Sequence, residues 1–439
     1  MMTQPQSEVD NFHERLTLSF DQLASDSLQK IRAKSWDHYL ELGLPSRKTE
    51  AFRYVKLRNL YEKNLQIAER LETTPYENLV GQHLLPECSE TALVFVNGFF
   101  EPSLSKLKGL PAKVAAIPLS EAMKAYSTFL TNSWGKSIKE ETDPFAALNA
   151  ALHGQGAFIY LPPKTIARSP LQLLHIIDAG EKELLILPRL HLFVGSQSEI
   201  ELCTTQVVCS GSSYFINGAI DFSLEEDSHV RYVSSGFDES QSSWHFEALR
   251  AHLKRNCRLL TVDATNGSGS TRNDFRIALM GENGEALLNG VWMLDYKNES
   301  HTHVIMDHQA PHCRSLQLFK GALNDCSHSS FEGKILVRQA AQKTDAFQLN
   351  NNLLLSEGAA AESKPNLEIF ADDVKASHGS TVGQLDKEQL FYMKTRGFSD
   401  SDAKNLLVRG FCEEVIQKIE IPTLRQLISS RASSYLIKR

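Results

Sequence analysis

The pattern of hydrophobic and polar residues divides the chain into three segments. Up to about residue 80, and again after residue 385, apolar residues recur at the three- and four-residue spacing of amphipathic helices. Between about residues 157 and 385 the pattern changes to short runs of two-residue alternation, separated by Gly, Ser and Asn. We therefore expect a helical region with short strands over 1–156, a body of strands over 157–385 and a helical domain over 386–439.

The strand segment repeats at a nearly constant step. Five runs align in one register, with steps of 30, 29, 27 and 29 residues: SEIEL at 198, SHVRY at 228, CRLLT at 257, GEALL at 284 and CRSLQ at 313. A constant step in a region of strands indicates a solenoid whose coils stack on one another. A β-sandwich with evenly spaced hairpins is the alternative, but Asn-Gly and Asp-Gly turns are few here. The pattern favours a mainly β protein built on a parallel β-helix.

Local signals place the ends of several elements. The Asn97–Gly98 pair predicts a tight turn after a short strand. Residues that predict helix starts are Asp143 before Pro144, Asp386 with Gln389 three residues later, Ser399 and Pro422. In the helix after Ser399, helical spacing puts these apolar or small residues on one face: Ala403, Leu406, Leu407, Gly410, Phe411 and Val415.

Composition and charge exclude several classes of protein. The chain is 42% apolar and 23% charged, which is ordinary for a globular protein, and its net charge of −7 disfavours nucleic acid as a partner. The first thirty residues carry five acidic residues and no apolar run, so we expect neither a targeting signal nor a membrane span. Seven widely spaced cysteines without a CxxC pair favour reduced thiols and a cytoplasmic location.

Two motifs that could bind a nucleotide or a metal ion are incomplete. The segment SWGKS at 133–137 ends like a phosphate-binding loop, but Leu130 stands where that loop needs its first glycine, so we expect no nucleotide site. The segment HTHVIMDHQAPHC holds His301, His303, His308, His312 and Cys313. Two imidazoles two residues apart on a strand can bind zinc if a third ligand comes from another coil. A row of structural histidines is the interpretation that we favour, and metal binding stays open.

A β-helix is also the framework of some carbohydrate-active enzymes, which form the alternative class of function. Such enzymes need two carboxylates that face one cleft. The most conspicuous acids here, Asp372 and Asp373, are adjacent, so on a strand they would point to opposite faces. The pattern therefore disfavours a glycoside hydrolase.

Several long segments resemble a known family. The segment PNLEIFADDVKASHGSTVGQLDKEQLFYMKTRGFSDSDAKNLLVRGF, at 365–411, closely resembles the SufB/SufD family of iron–sulfur cluster assembly proteins. Four other segments are similar to the same family: GLPSRKTEAFRY at 43–54, LVFVNGFF, FAALNAAL and FEGKILVRQAAQKTDAFQLNNNLLLS at 331–356. GLPSRKTEAFRY and SHGSTVGQLD favour the SufD branch over the alternative, a SufB-type scaffold subunit.

The resemblance implies a right-handed parallel β-helix between helical ends and a non-catalytic scaffold. Proteins of this kind pair with SufB and bind the SufC ATPase through their carboxy-terminal helices. The complex assembles an iron–sulfur cluster, which SufD would hold transiently with SufB, and transfers it to apo-proteins. The sequence leaves open whether the assembled complex binds a flavin and whether the chain pairs with itself.

The resemblance also suggests site residues. His378 would be the cluster and metal ligand, with Ser377 and Gly379 leaving its imidazole open; a structural histidine in a small-residue turn is the alternative. Many SufD proteins have cysteine two residues before this histidine, but here the position is Ala376, so no thiol can act there. The resemblance places the ATPase contact in the carboxy-terminal helices, at Phe391, Tyr392, Arg396, Gly397, Leu406, Leu407, Gly410 and Phe411.

Overall fold

The computed structural model describes residues 5–23, 25–211, 213–237, 240 and 242–435. The α-helices of this part of the chain are α1 (Pro5–Asp21), α2 (Gln29–Leu42), α3 (Leu57–Tyr61), α4 (Glu77–His83), α5 (Leu119–Ala125), α6 (Ser127–Glu140), α7 (Pro144–Leu152), α8 (Lys387–Thr395), α9 (Asp400–Ile416) and α10 (Pro422–Ser434). Short 3₁₀ helices cover Glu50–Phe52, Thr74–Tyr76 and Pro86–Cys88.

Strands make up most of the remaining structure. The first ten are β1 (Gln66–Ile67), β2 (Ala92–Val96), β3 (Phe99–Phe100), β4 (Ala115–Pro118), β5 (Ala157–Leu161), β6 (Leu171–Asp178), β7 (Leu184–Ile186), β8 (Arg189–Val194), β9 (Glu199–Ser210) and β10 (Tyr214–Leu224). The others are β11 (His229–Gly236), β12 (Trp244–Leu253), β13 (Arg258–Thr265), β14 (Ser270–Leu279), β15 (Glu285–Leu294), β16 (Glu299–His308), β17 (Arg314–Leu323), β18 (His328–Val337), β19 (Asp345–Leu354), β20 (Ala360–Ile369) and β21 (Lys375–Gly383).

The strands form two facing sheets of a parallel β-solenoid. Sheet A runs in the order β20-β18-β16-β14-β12-β10-β8-β5-β4, and sheet B in the order β21-β19-β17-β15-β13-β11-β9-β6-β2-β3. Each coil therefore gives one strand to each sheet and pairs with the coils before and after it. At the end of the stack opposite to β20 and β21, the short strand β3 pairs antiparallel with β2, and β4 pairs antiparallel with β5. The predicted β-helix with helical ends is confirmed, and the sandwich is wrong.

The predicted register is confirmed residue for residue in sheet B. One column of paired residues contains Glu199, His229, Arg258, Glu285, Arg314, Asp345 and Lys375. Each of the five aligned runs begins one residue before this column. In six successive coils, the residue two positions before this column has a left-handed backbone. These residues have φ from 58° to 61°: Gln197, Asp227, Asn256, Asn283, His312 and Lys343. The same left-handed turn thus starts six of the sheet B strands, β9, β11, β13, β15, β17 and β19.

Helices cover the outer faces of both sheets. Helices α1, α2 and α7 pack with Phe215, Trp244 and Phe246 of sheet A in one hydrophobic cluster. Helices α9 and α10 pack on sheet B, where Val408, Cys412 and Ile416 share a cluster with Val262, Val291 and Leu318. Between the sheets, alternate residues such as Leu202, Leu259 and Leu288 form the central core. The buried residues of these clusters include none from β20 or β21, and Ala361, Leu367 and Ala376 of these strands pack against the central core while only partly buried.

The predicted helix starts are confirmed, but the predicted face of α9 is partly wrong. The side chain of Asp143 accepts hydrogen bonds from the backbone N–H groups of Phe145 and Ala146, and the first of these measures 2.8 Å. In the same way, the side chains of Asp386 and Ser399 cap helices α8 and α9. The buried residues of α9 are Ala403, Asn405, Val408, Cys412, Val415 and Ile416. The buried stripe therefore runs through Val408 and Cys412, because that side of α9 contacts sheet B. Leu406 and Gly410 are exposed instead.

A buried ion network fixes the start of α7 to sheet A. Arg272 pairs with Asp143 at 2.6 Å and with Asp274 at 3.0 Å, and all three side chains are almost inaccessible to solvent. Arg250 bridges Asp274 to Glu141 at 2.7 Å on each side. Burial alone would raise the pKa of Asp274, but Arg250 and Arg276 outweigh burial and hold it well below its usual value. Asp274 therefore stays ionised, and Asp143, Asp274 and Glu141 all depend on arginine partners.

Replacing Arg272 should destabilise the protein strongly. In Arg272→Met, Asp143 and Asp274 lose a partner inside the protein, and we expect a loss of about 3 kcal/mol in the free energy of unfolding. Arg314→Met is the matched control, since the Arg314 side chain is exposed and pairs with Glu285 at the surface. Urea unfolding followed by circular dichroism measures both. Equal midpoints for the two variants would contradict the prediction.

A second buried carboxyl, that of Asp263, lies inside the solenoid. Its neighbours along β13, Val262 and Ala264, face the carboxy-terminal helices, so Asp263 faces the interior. Burial, assisted by the nearby Glu247, raises the pKa of Asp263 to about 8, and Asn273 donates a hydrogen bond to it at 2.8 Å. The folded protein therefore holds this proton more tightly than the unfolded chain, whose aspartate pKa is about 3.9.

The contribution of Asp263 to stability should fall as pH rises. Because the folded pKa is raised, the loss starts above the unfolded pKa of about 4 and is complete above pH ~8, with a slope of up to about 1.4 kcal/mol per pH unit. Asp263→Asn removes the titration and keeps the shape of the side chain. We expect the free energy of unfolding of the native protein, relative to that of Asp263→Asn, to decrease from pH 6 to pH 8. Parallel pH profiles would show that Asp263 does not titrate there.

Candidate functional site

The last coil of the solenoid is an open end. Strands β20 and β21 are the terminal strands of sheets A and B, and each pairs on one side only with a described strand. Neither strand has a buried residue, whereas buried residues alternate along β18 and in most of β19. Two adjacent strands therefore present unpaired backbone N–H and C=O groups. An edge of this kind readily accepts a strand from another chain.

Apolar side chains surround this open end. Phe370 is 62% exposed, directly after β20, and Val382 is 46% exposed on β21. Other exposed apolar side chains on the last coils are Phe347, Leu349 and Ile369. Exposed apolar area beside unpaired strand edges marks a surface for association. The sequence did not distinguish Phe370 from core residues, because its alternation resembles that of a buried strand.

His378 lies in strand β21 and not in a turn, so that part of the prediction is wrong. Its flanking small residues resemble a turn in sequence, but parallel pairing with β19 holds this backbone extended, with His378 opposite Gln348. Successive coils place Gln317, Gln348 and His378 in one column. The side chain of His378 is exposed because no further described coil covers it.

His378 faces the interior side of the last coil. Ala376, two residues earlier, packs against the central core, and residues two apart on a strand share a face. Ser377 and Gly379 therefore face outward. In the coil before His378, the side chain of Gln348 donates a long hydrogen bond of 3.4 Å to the carbonyl of Gly333. In the coil before that, neither the oxygen nor the nitrogen of the buried Gln317 amide has a hydrogen-bond partner among the described residues. The imidazole thus lies at the open end of a column of polar side chains that runs inside the solenoid.

The histidine-rich segment of β16 does not form one site. His301 contacts Ser330 at 2.8 Å and Glu299, His303 contacts Asp274 at 2.6 Å, and His308 contacts Ser315 at 2.8 Å. His312 is an exposed turn residue, and Cys313 is buried on the interior side. Across the described residues, no group of three or more His, Cys, Asp or Glu side chains is placed to hold a metal ion. The geometry favours the structural interpretation of this row.

The adjacent acids proposed for the alternative enzyme lie in an exposed bend, not in a strand. Asp373 forms an ion pair with Lys343, and its backbone N–H donates to Gln342 at 3.0 Å. Asp372 beside it is also exposed. The bend forms because the chain must cross here from sheet A to sheet B. The described contacts give these two carboxyl groups no shared cleft.

Helix α8 forms a second exposed surface. None of its nine residues is buried, and Phe391 and Tyr392 are 69% and 58% exposed. Leu406 on α9 and Phe398 in the loop between the helices are also exposed, at 41% and 44%. A helix without a buried face gains little from its own fold, so its aromatic side chains indicate contact with a partner. Phe398 had not been selected from the sequence, because its polar neighbours resemble those of an ordinary loop.

The other predicted contact residues divide between this surface and the core. The guanidinium of Arg396 lies 5.0 Å from the centre of the Tyr392 ring, and Gly397 turns the chain with φ of 93°. Leu407 and Phe411 are half-buried. The carbonyl of Phe411 accepts a hydrogen bond from Lys320 at 3.1 Å, and its ring covers the Lys320 ammonium. Phe411 therefore helps to attach α9 to sheet B, while Gly410 remains exposed.

Two further observations concern the phosphate-binding motif and the character of the helices. Residues 133–137 lie within helix α6, where their backbone follows the helix and forms no phosphate-binding loop. Among the described helices, none combines the length and the apolar character that crossing a bilayer requires. Neither feature belongs to the two exposed surfaces.

Comparison with known proteins gives matches over nearly the whole chain. Residues 175–411 match the family model described as SUF system FeS cluster assembly, SufBD core domain, and residues 2–173 match the SufBD protein N-terminal region. The chain is 30% identical over 407 residues to the iron–sulfur cluster assembly protein SufD of Escherichia coli, covering 90% of each chain. It is 29% identical to an iron–sulfur cluster assembly SufBD family protein of Synechocystis, covering 89% of this chain and 88% of the relative. A chloroplastic protein of Arabidopsis thaliana is 28% identical, over 92% of this chain and 85% of the relative.

Proposed function

Since the chain belongs to the SufBD family of the SUF system for FeS cluster assembly, we propose that it is a SufD-like scaffold subunit without a catalytic site of its own. It pairs with a SufB-like subunit and binds a SufC-like ATPase in the cytoplasm. The complex assembles an iron–sulfur cluster and passes it to apo-proteins. The observation that carries the proposal is the presence of two separate exposed surfaces, the open last coil and helix α8.

The open last coil is suited to pairing with a second β-solenoid. A subunit with a similar open end can extend both sheets at once, because β20 and β21 lie side by side. The exposed apolar side chains near the edge, such as Phe370 and Val382, would become buried in such a contact. We expect the isolated chain to use the same edge to pair with itself when no SufB-like subunit is present.

This pairing would place His378 at the junction between two subunits. A cluster held there takes the imidazole from this chain and thiolates from the SufB-like partner, and it is shared transiently. Neutral imidazole in place of thiolate raises the reduction potential of an iron–sulfur cluster. Protonation of the imidazole releases it from iron, so acid should loosen this ligand. Flavin binding by the assembled complex is a further expectation of the same hypothesis.

Co-expression tests the proposal directly. The chain is expressed anaerobically with SufB-like and SufC-like subunits from the same source, with an affinity tag on this chain alone. We expect all three subunits to co-purify and to show the visible absorbance of an iron–sulfur cluster, with iron and acid-labile sulfide. A chain that purifies alone, or a complex that never holds a cluster, would overturn the proposal.

Changes on α8 should release the ATPase and leave the scaffold intact. In the double variant Phe391→Asp and Tyr392→Asp, two charges replace exposed aromatic side chains. Interface aromatics contribute strongly to binding, so we expect retention of the SufC-like subunit to fall at least about tenfold. Because neither residue is buried, folding and SufB pairing should persist.

Ile166→Asp is the control for the α8 variant, since Ile166 is 58% exposed and belongs to the solenoid, not to helices α8 to α10. Pull-down of the tagged complexes, quantified subunit by subunit, measures retention. If the α8 variant keeps the SufC-like subunit at the level of the control, the ATPase contact lies elsewhere.

Loss of His378 should reduce cluster content without disrupting the complex. In His378→Ala the strand edge is unchanged, so we expect the three subunits to assemble while iron, sulfide and visible absorbance fall several-fold. His312→Ala, which removes an exposed histidine from a turn of the same solenoid, serves as control. Ala376→Cys should be tolerated, because many SufD proteins carry cysteine at this position. Normal cluster content in His378→Ala would show that the histidine has only a structural role.

A further inference from the structure

A basic segment borders the open end of the solenoid. Residues 46–56 connect helix α2 to helix α3 and pass over the outer face of sheet A. Tyr54 of this segment and Ser330 of β18 line the same small pocket. Glu50 forms an ion pair with Lys364 of β20, which is the last strand of sheet A. The basic segment therefore reaches the strand whose free edge is proposed to pair with a second solenoid.

Buried contacts fix the backbone of the basic segment. Phe52 and Val55 lie in the hydrophobic cluster that helices α1, α2 and α7 form with sheet A. The guanidinium of Arg272 lies over the Phe52 ring, 4.0 Å from its centre. Just before the segment, the carbonyl of Pro45 accepts a hydrogen bond of 2.7 Å from the hydroxyl of Tyr61. Side chains that point outward from this backbone are therefore attached at fixed positions beside β20.

Three exposed cations of the basic segment have no partner within the described part of the chain. The side chains of Arg47, Lys48 and Arg53 form no ion pair or hydrogen bond there. Glu50 is the only acidic residue of the segment, and it already pairs with Lys364. Other charged residues nearby are also paired: Lys56 with Glu299, Lys364 with Glu332, Lys334 with Glu368 and His328 with Glu362. An excess of positive charge thus remains beside the edge, although the whole chain has a net charge of −7.

Charge beside a docking edge acts on the approach of a partner. Complementary charges raise the rate of encounter and orient the two proteins, while like charges disfavour wrong partners. Nucleic acid is a poor candidate for the basic segment, because its binding draws on many phosphate contacts and the chain is acidic as a whole. The chemistry favours acidic side chains of a protein that meets the same edge.

We propose that Arg47, Lys48 and Arg53 form a docking site for acidic residues of the SufB-like subunit, which lie beside that subunit's own strand edge. This inference rests on the proposed pairing of the two solenoids and adds the charge that the partner surface must carry. The three cations attract the acidic surface before the strands meet, and they bring the two edges together in the orientation that pairs them. Exposed ion pairs add little to the final affinity, so the site acts mainly on the association rate.

Association kinetics of the whole chain with the purified SufB-like subunit test this proposal. In the triple variant Arg47→Glu, Lys48→Glu and Arg53→Glu, we expect the association rate constant to fall at least about tenfold at low salt, while the dissociation rate constant changes by less than about twofold. Changing the same three residues to Gln removes the attraction without adding repulsion, and it should give a smaller effect of the same sign. The differences should vanish in salt of about 1 M, where the screening length is about 3 Å.

A second triple variant, Lys106→Glu, Lys108→Glu and Lys182→Glu, is the control. It changes the net charge by the same amount at exposed residues, and Lys106 lies beside β2 at the opposite end of the stack. Its association rate constant should stay within about threefold of that of the unchanged chain. Thermal unfolding measures whether each variant is folded. Equal rates for the two Glu variants, or an association rate of the unchanged chain that does not depend on salt, would overturn the proposal.

Chemical coupling locates the contact in the complex. A carbodiimide joins an amine to a carboxylate that touches it, without a spacer. We expect the amine of Lys48 to be linked to an acidic residue of the SufB-like subunit, and that of Lys182 not to be, when the linked peptides are identified by mass spectrometry. Links to the partner at other lysines but never at Lys48 would contradict the proposed docking site.

Two outcomes separate this inference from its alternatives. Single-stranded RNA is used as a second probe, and RNA binding that is lost in the Arg47, Lys48 and Arg53 variants would assign the basic segment to nucleic acid and overturn the proposal. If the unchanged chain does not associate with the SufB-like subunit at all, the proposed function itself fails. Association that is equally fast in both Glu variants contradicts only the docking site.

Discussion

The structure depends on one constraint, which is the residue-for-residue stacking of parallel coils. Parallel pairing satisfies the backbone hydrogen bonds of each strand only through the coils above and below it. The step between coils therefore varies only from 27 to 31 residues in sheet B, as the paired positions from Glu199 to Lys375 show. A left-handed residue precedes six successive sheet B strands and makes the turn at the same position in each of these coils. Register then determines which side chains share a column.

The same constraint leaves the last coil of the solenoid exposed. A stack of coils must end, and its last coil has no neighbour to pair with unless another element covers it. Here the terminal helices pack along the outer faces of the two sheets, so β20 and β21 remain open. Helix α9 uses its Val408 and Cys412 side for packing, which leaves Leu406 and all of α8 without a buried face. An assembly subunit needs such unpaired surfaces, whereas an enzyme needs a closed cleft.

The pairing of successive coils also determines where polar side chains lie inside the protein. Gln317, Gln348 and His378 stack toward the open end, while the buried acids near α7 are held by Arg250 and Arg272. A cavity beside that network, between α7 and sheet A, exists because two coils carry alanine where adjacent coils carry Arg189 and Asp274. Two small side chains in adjacent coils of one column are enough to open a cavity on an otherwise regular sheet face.

The sequence by itself determined the coil step, the position of the solenoid, the helix caps at Asp143, Asp386 and Ser399, and the family to which the chain belongs. These features depend on local spacing and on residues near one another in the chain. Only the tertiary structure decided that His378 lies in a strand, that α9 buries Val408 rather than Leu406, and that His301 and His303 have separate partners. In each case the outcome depends on a contact with a distant coil or helix, and one-dimensional periodicity does not specify which face meets that partner. The cavity between α7 and sheet A shows the same limit, because Ala146 and Ala150 of α7 and Ala219 and Ala248 of sheet A come from separate segments that only folding brings together.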